Sequence, residues 1–264
     1  MSTTAVRTEG LSVAYRTRTR LGWRRRHADA WALREVDLTV EPGRVLGVIG
    51  GNGSGKTTLL QVLAGVIRPS AGVIEVHGRV ASLVDLSAGF HRDLTGHENL
   101  LIGGVLLGLG RAEVRARAEE IVAFSGLPEE ALDWPLAAYS AGMGLRLGFS
   151  LVVHSQPDVL LVDEVLAVGD DRFQRQCVEA VRALQDEGCA VVLVSHDMAL
   201  VHDHCDEVAV LDDGRVSCLA EPDEAIAHHL AERHRHTEPG PADRDLYDPS
   251  RRAPAAQRRK GGRR

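Results

Sequence analysis

The octapeptide Gly50-Gly51-Asn52-Gly53-Ser54-Gly55-Lys56-Thr57 constrains this chain more than any other stretch. It satisfies the pattern G-x-x-x-x-G-K-[ST]. Before it, Val45-Leu46-Gly47-Val48-Ile49 is a short apolar run that predicts a buried strand. After it, Thr58-Leu59-Leu60-Gln61-Val62-Leu63-Ala64-Gly65 has a helical pattern. Strand, glycine loop and helix are the setting in which such a loop cradles phosphate. Glycines let backbone N–H groups turn inward around an anion without Cβ clashes. The helix N-terminus adds partial positive charge. Lys56 is expected to reach the outer phosphates and the Thr57 hydroxyl a Mg²⁺ ion, with Thr58 a further ATP-binding residue. The chain has 31 Lys+Arg, yet lysine occurs only at Lys56 and Lys260. A compact ammonium therefore stands where a point charge must meet phosphate oxygens.

At 264 residues and 44% hydrophobic, the chain has the size of one large domain or one domain with an inserted subdomain. Its net charge of -6 is uneven. Arg16, Arg18, Arg20, Arg24, Arg25 and Arg26 crowd one segment, and Arg251, Arg252, Arg258, Arg259, Lys260, Arg263 and Arg264 crowd the C-terminus. The remaining body is strongly acidic. Two basic appendages suggest an anionic partner, either lipid headgroups or nucleic acid, and a plain solvated charge run is the competing reading. Cys177, Cys189, Cys205 and Cys218 are scattered without a C-x-x-C, which fits reduced thiols rather than zinc or disulfides. No charged-then-apolar leader pattern is present, and the most apolar stretch, Leu100 to Leu109, is too short to span a bilayer. The expectation is a soluble chain inside the cell, with any membrane link peripheral.

Val6 to Tyr15 predicts a first strand, followed by an arginine-rich loop and a second strand from Trp31 to Val40. Val73 to Val84 predicts a strand pair turning near Gly78. Helical character then takes over. Thr95-Gly96-His97-Glu98 has the capping-box pattern, Arg111 to Phe124 is a second helix, and Ser140 stands as N-cap ahead of Leu145 to Val153. A helical subdomain is thus expected at about residues 88–156 within a unit spanning 1–237. Strands resume at Val159-Leu160-Leu161-Val162 and at Ala190 to Val194, with a helix from Phe173 to Glu187 between them. Val208 to Val216 predicts a hairpin around Asp212-Asp213-Gly214, and Glu221 to Arg235 a last helix. Residues 238–264 are expected to be a disordered basic tail.

Four apolar strands end in polar residues: at the glycine loop, at Asp163-Glu164, at His196, and after Val84. In a parallel α/β sheet the ligand lies beyond the carboxyl ends of the strands, so these residues are expected around one nucleotide. Asp163 suits a Mg²⁺ partner, Glu164 a general base that polarises water, and His196 a γ-phosphate contact. Taken singly, a carboxylate pair after a strand is often a cap, and a lone histidine is usually structural.

Tyr139-Ser140-Ala141-Gly142-Met143, shortly before the Asp163-Glu164 strand, resembles the signature motif of ATP-binding-cassette (ABC) ATPases. The order phosphate loop, signature, acidic strand, histidine is the order of that family, and the resemblance covers about residues 5–235. It implies an ABC-type α/β fold with a parallel-sheet core, an N-terminal antiparallel β portion and an inserted helical subdomain. It also implies ATP hydrolysis with ATP and Mg²⁺, and a homodimer sandwiching two ATPs. In such a dimer each ATP meets the phosphate loop of one subunit and Ser140, Ala141, Gly142 and Met143 of the other. The resemblance casts Glu164 as catalytic base, Asp163 as Mg²⁺ ligand, His196 as switch histidine and Asp170 as the aspartate of a dimer-contact loop. Tyr15 is the expected adenine-stacking aromatic, unusually far in sequence from the phosphate loop, with Trp31 its competitor.

The departures from the family pattern carry information too. Tyr-Ser-Ala-Gly-Met replaces the usual Leu-Ser-Gly-Gly-Gln, and Asp85-Leu86-Ser87 stands where a glutamine is usual. With Val168-Gly169-Asp170 and Gly89-Phe90-His91, these features are similar to the subfamily that exports polysaccharides and teichoic acids. The implied role is the cytoplasmic-side motor beneath separate membrane permease subunits, exporting a lipid-linked glycan of O-antigen, teichoic acid or galactan type. An exporter of drugs or lipids is the first alternative. A non-transport ATPase acting on ribosomes or DNA is the second, which makes a nucleic-acid partner the weaker expectation. A nucleotide-binding regulator without turnover is the third.

Overall fold

The computed structural model describes residues 4–21, 24–83, 90–163 and 170–237. In chain order the elements are β1 (Val6–Leu21), β2 (Arg24–Val40), β3 (Val45–Gly50), α1 (Lys56–Leu63), β4 (Ala71–Val76), β5 (Val80–Ser82), α2 (Gly96–Leu106), α3 (Arg111–Ser125), α4 (Ala141–His154), β6 (Val159–Asp163), α5 (Asp171–Asp186), β7 (Ala190–Val194), α6 (Met198–His204), β8 (Glu207–Asp212), β9 (Arg215–Ala220) and α7 (Pro222–Thr237). Short 3₁₀ turns lie at Glu129–Asp133 and Leu136–Ala138. The strands form a three-stranded sheet, β2-β1-β4, and a six-stranded sheet, β5-β6-β7-β3-β8-β9. The first is antiparallel. The second is parallel apart from β9.

Period-two alternation along the central strands sets the layers. Leu46 and Val48 of β3, Ala190, Val192 and Val194 of β7, and Val159 and Leu161 of β6 face one core. That core also holds Leu59, Leu60, Val62 and Leu63 of α1 and the inner face of the antiparallel sheet. The intervening residues, Val191 and Leu193 of β7 with Leu160 and Val162 of β6, face the other way onto Phe149 of α4 and Phe173, Cys177 and Leu184 of α5. Both faces of the parallel sheet are therefore covered, which is why its strands read as continuous apolar runs. Ile49, Val208 and Val210 pack on Val201 of α6 and Ala225 of α7. The helices between β5 and β6 have their own cluster of Leu100, Ile121, Leu132, Leu147 and Leu151.

Local chemistry sets the helix starts. Thr95 and Glu98 form the reciprocal capping box at α2. Ser140 Oγ accepts the Met143 N–H at the start of α4. The buried Asn99 side chain donates to the carbonyls of His91, Leu94 and Thr95 and accepts the His91 N–H, fixing the approach to α2.

Two expectations are corrected. The arginine-rich segment is not a loop: β1 and β2 continue as a paired ribbon to Leu21↔Arg24. Beyond Ser12, β1 has left β4 and keeps β2 as its partner. The residues 71–82 do not form a hairpin around Gly78, since β4 pairs with β1 in one sheet and β5 with β6 in the other. Gly78 marks the crossing between sheets, which local sequence does not distinguish from a turn.

The four cysteines are free. Burial pushes the Cys177, Cys189 and Cys205 thiols up to about 12, so they are packing groups rather than nucleophiles. Among the described residues no helix is long and apolar enough to cross a membrane.

Candidate functional site

Strand register brings the phosphate loop, Asp163 and the turn after β7 to one edge of the parallel sheet. β3, β7 and β6 are successive parallel neighbours, with Val48↔Val194 and Asp163↔Val194 in register. Asp163 thus ends β6 in the row of Val48, two strands across, at about 10 Å. Its alternation with Val159 and Leu161 puts it on the sheet face covered by α1. His196 follows the buried end of β7. The turn around it is fixed by Ser195 Oγ, which accepts the Asp197 N–H at 3.0 Å, and by Asp197, which caps α6. His196 is exposed beyond the strand end.

The phosphate loop runs from the end of β3 into α1. Lys56 is 7% exposed, and its Nζ donates to the Gly50 and Gly51 carbonyls, 2.9 Å each. At two positions of the loop a positive φ and a neighbouring backbone carbonyl together exclude any side chain. Gly50 has φ 156, and a Cβ there would collide with the Leu211 carbonyl; Gly55 has φ 111, and a Cβ there would meet the Ala32 carbonyl. Gly51, Asn52, Gly53 and Thr57 are exposed, Thr58 is half-buried, and Ser54 Oγ is buried with no hydrogen-bond partner among the described residues. An ammonium folded onto the loop's own carbonyls, an orphaned hydroxyl and a helix N-terminus together fit a polyphosphate. Thr57 and Asp163 are the residues that would hold a Mg²⁺ shared with phosphate oxygens.

Tyr15 and Trp31 separate by register. Tyr15 pairs with Ala30 and Trp31 with Ala14, so the two aromatics lie on opposite faces of the ribbon. Tyr15 has the face towards α1, its hydroxyl 3.4 Å from Thr58 Oγ1. The long insertion between Tyr15 and the loop is taken up by the ribbon, so sequence distance does not become spatial distance.

The Ser140-Ala141-Gly142-Met143 turn opens α4 with Ser140 and Ala141 exposed. Tyr139, in place of the usual leucine, donates its hydroxyl to the Ala131 carbonyl at 2.8 Å and closes over Gly96, which has no room for a Cβ. Burial pushes the Tyr139 phenol up. Asp170 caps α5 by accepting the Phe173 N–H and also accepts Arg146 Nη2 at 3.0 Å. Arg146 lies 4.9 Å from the Phe173 ring centroid. Sequence reading passed over Arg146. The available signal was the single guanidinium in α4, whose other residues are apolar or glycine apart from Ser150 and His154. Glu164, the Asp85-Leu86-Ser87 neighbourhood and the 238–264 tail lie outside the described residues.

The chain matches the family model described as ABC transporter over residues 33–167. It is 44% identical to the O-antigen export system ATP-binding protein RfbB of Myxococcus xanthus over 75% of this chain and 45% of that protein. It is also 44% identical to RfbB of Klebsiella pneumoniae, over 70% and 75% respectively. The Teichoic acids export ATP-binding protein TagH of Lactiplantibacillus plantarum is 38% identical over 75% of this chain and 54% of its own length. The chain therefore spans about half the length of some of the curated relatives it matches. Among solved structures, an ATP binding subunit of an ABC transporter superposes with TM-score 0.71 at 22% identity, covering 87% of this chain and 94% of that one. Fold and phosphate loop define an ATP-binding cassette. The chain belongs to the ABC transporter family.

Proposed function

We propose that this chain is the ATP-binding and ATP-hydrolysing subunit that powers export of a lipid-linked polysaccharide through a separate membrane permease. The observation that carries the ATPase part is the row at one sheet edge: phosphate loop on β3, Asp163 on β6 and His196 after β7. The relatives named for O-antigen and teichoic acid export support the substrate class. Gly50 to Thr58 hold the phosphates, Lys56 neutralises them, and Tyr15 stacks on adenine. Thr57 and Asp163 hold Mg²⁺, Glu164 directs the attacking water, and His196 contacts the γ-phosphate. Two copies close on the nucleotide, each offering the Ser140 turn to its partner's γ-phosphate, with Asp170 near the contact. Residues 1–237 act as the cassette, with about 88–156 as its helical subdomain. The chain works peripherally at the cytoplasmic face, and the 238–264 tail touches anionic lipid.

ATP binding and turnover of the purified protein test this reading. Lys56→Ala abolishes binding, because the phosphates lose their main cation. Glu164→Gln keeps binding, stops turnover and holds the protein as an ATP-bound dimer. Wild-type turnover by Glu164→Gln removes Glu164 as the base.

A further inference from the structure

The Ala32 carbonyl in β2 is approached by two glycines far apart in sequence. A Cβ on Gly55 of the phosphate loop would collide with it, and a Cβ on Gly214, at the tip of the β8–β9 hairpin, would stand 2.7 Å from it. The Gly214 N–H donates to the Ser54 carbonyl at 3.0 Å, and the Gly214 carbonyl accepts the Arg34 N–H at 2.7 Å. Hairpin tip, β2 and phosphate loop are thus in direct backbone contact. The surroundings are strained: Asp213 and Glu35, neither a glycine, sit at φ 43 and φ 50. Arg215 bridges to Glu35 at 2.8 Å and Arg34 to Asp213 at 3.8 Å, tying the tip to β2 from both sides. Arg34 Nε and Ser54 Oγ, both buried and with no hydrogen-bond partner among the described residues, belong to the same neighbourhood.

In a trans peptide the C=O and the following N–H point in opposite directions. Holding the Ser54 carbonyl on the outside of the loop therefore aims the Gly55 N–H at the inside. We propose that the β8–β9 hairpin tip is a positioning element for the phosphate loop. Gly214 grips the Ser54 carbonyl and so orients the Gly55 amide towards a bound phosphate. Gly214 is the required residue, because its φ of 77 and the adjoining Ala32 backbone exclude a side chain. The inference rests on the ATP-binding reading above.

Gly214→Ala pushes the tip off β2 and releases the Ser54 carbonyl. Because the loop binds phosphate alike in ground and transition states, KM for ATP rises about tenfold while kcat at saturation stays within about twofold. An unchanged KM in Gly214→Ala, with only a smaller active fraction, overturns the proposal. Hydrogen exchange of the wild-type protein gives a second reading that needs no variant to fold. With ATP and Mg²⁺, amides of residues 50–58 and of 212–216 slow together. Protection of the loop without the tip overturns this inference alone. Protection of neither overturns the ATP-binding reading on which it rests.

Discussion

Asp170 accepts a hydrogen bond from Arg146 across 24 residues of sequence, joining the start of α5 to the helix that Ser140 opens. The Phe173 N–H first, then Arg146, holds the Asp170 carboxyl below its ordinary value of 3.8. A lowered native value means that the stabilisation is complete above the unfolded value and is lost as pH falls through the native one. Asp170→Asn keeps an N-cap but removes the charge. The stability difference between wild type and Asp170→Asn is therefore expected to be constant above about pH 5 and to shrink below about pH 4. Urea midpoints from pH 3 to 7 measure it. A difference independent of pH contradicts the ion-pair account.

Ser140 carries two roles that substitution separates. Ser140→Ala loses the bond to the Met143 N–H and costs about 1 kcal/mol, visible as a lower melting temperature. Ser140→Asp caps equally well but brings a negative charge to the place proposed for a partner's γ-phosphate. It keeps the melting temperature and loses ATP-driven dimerisation, read by light scattering. Normal dimerisation of Ser140→Asp removes the signature turn from the nucleotide interface.

Opposite faces of the ribbon make Tyr15 and Trp31 an internal comparison. An aromatic contact contributes about 1 kcal/mol, so Tyr15→Ala raises the dissociation constant for ATP about fivefold. Trp31→Ala leaves it unchanged. Equal effects of the two substitutions contradict the assignment of Tyr15 to adenine.

Much of this was legible in sequence because it is local. The strand–loop–helix around Lys56, the Thr95–Glu98 capping box, the Ser140 cap and the β8–β9 hairpin each lie within a few consecutive residues. What was missed depends on chain segments brought together from afar. β4 and β5 read as a hairpin because nothing in residues 71–82 states that they belong to different sheets. The arginine run read as a loop because like charges hide the pairing of β1 with β2. Gly214 was legible as a turn residue, but its grip on Ser54 is visible only once β8 lies beside β3.

The acidic body and basic tail predict a salt-sensitive membrane contact. Each Lys or Arg near an anionic leaflet contributes about 1 kcal/mol, fading within a Debye length. Removing residues 239–264 leaves ATPase activity intact and weakens sedimentation with phosphatidylserine-containing vesicles at low salt. The difference from the full chain narrows as salt rises. Equal sedimentation of both proteins at low salt makes the tail an inert solvated segment.

The export reading is tested most directly in the cell that makes this protein. After depletion, lipid-linked glycan on the cytoplasmic face is quantified with and without complementation. The account predicts that glycan lipid accumulates, that the wild-type chain restores its export, and that Lys56→Ala does not. Unchanged glycan lipid upon depletion, accompanied by altered efflux of drugs, contradicts it.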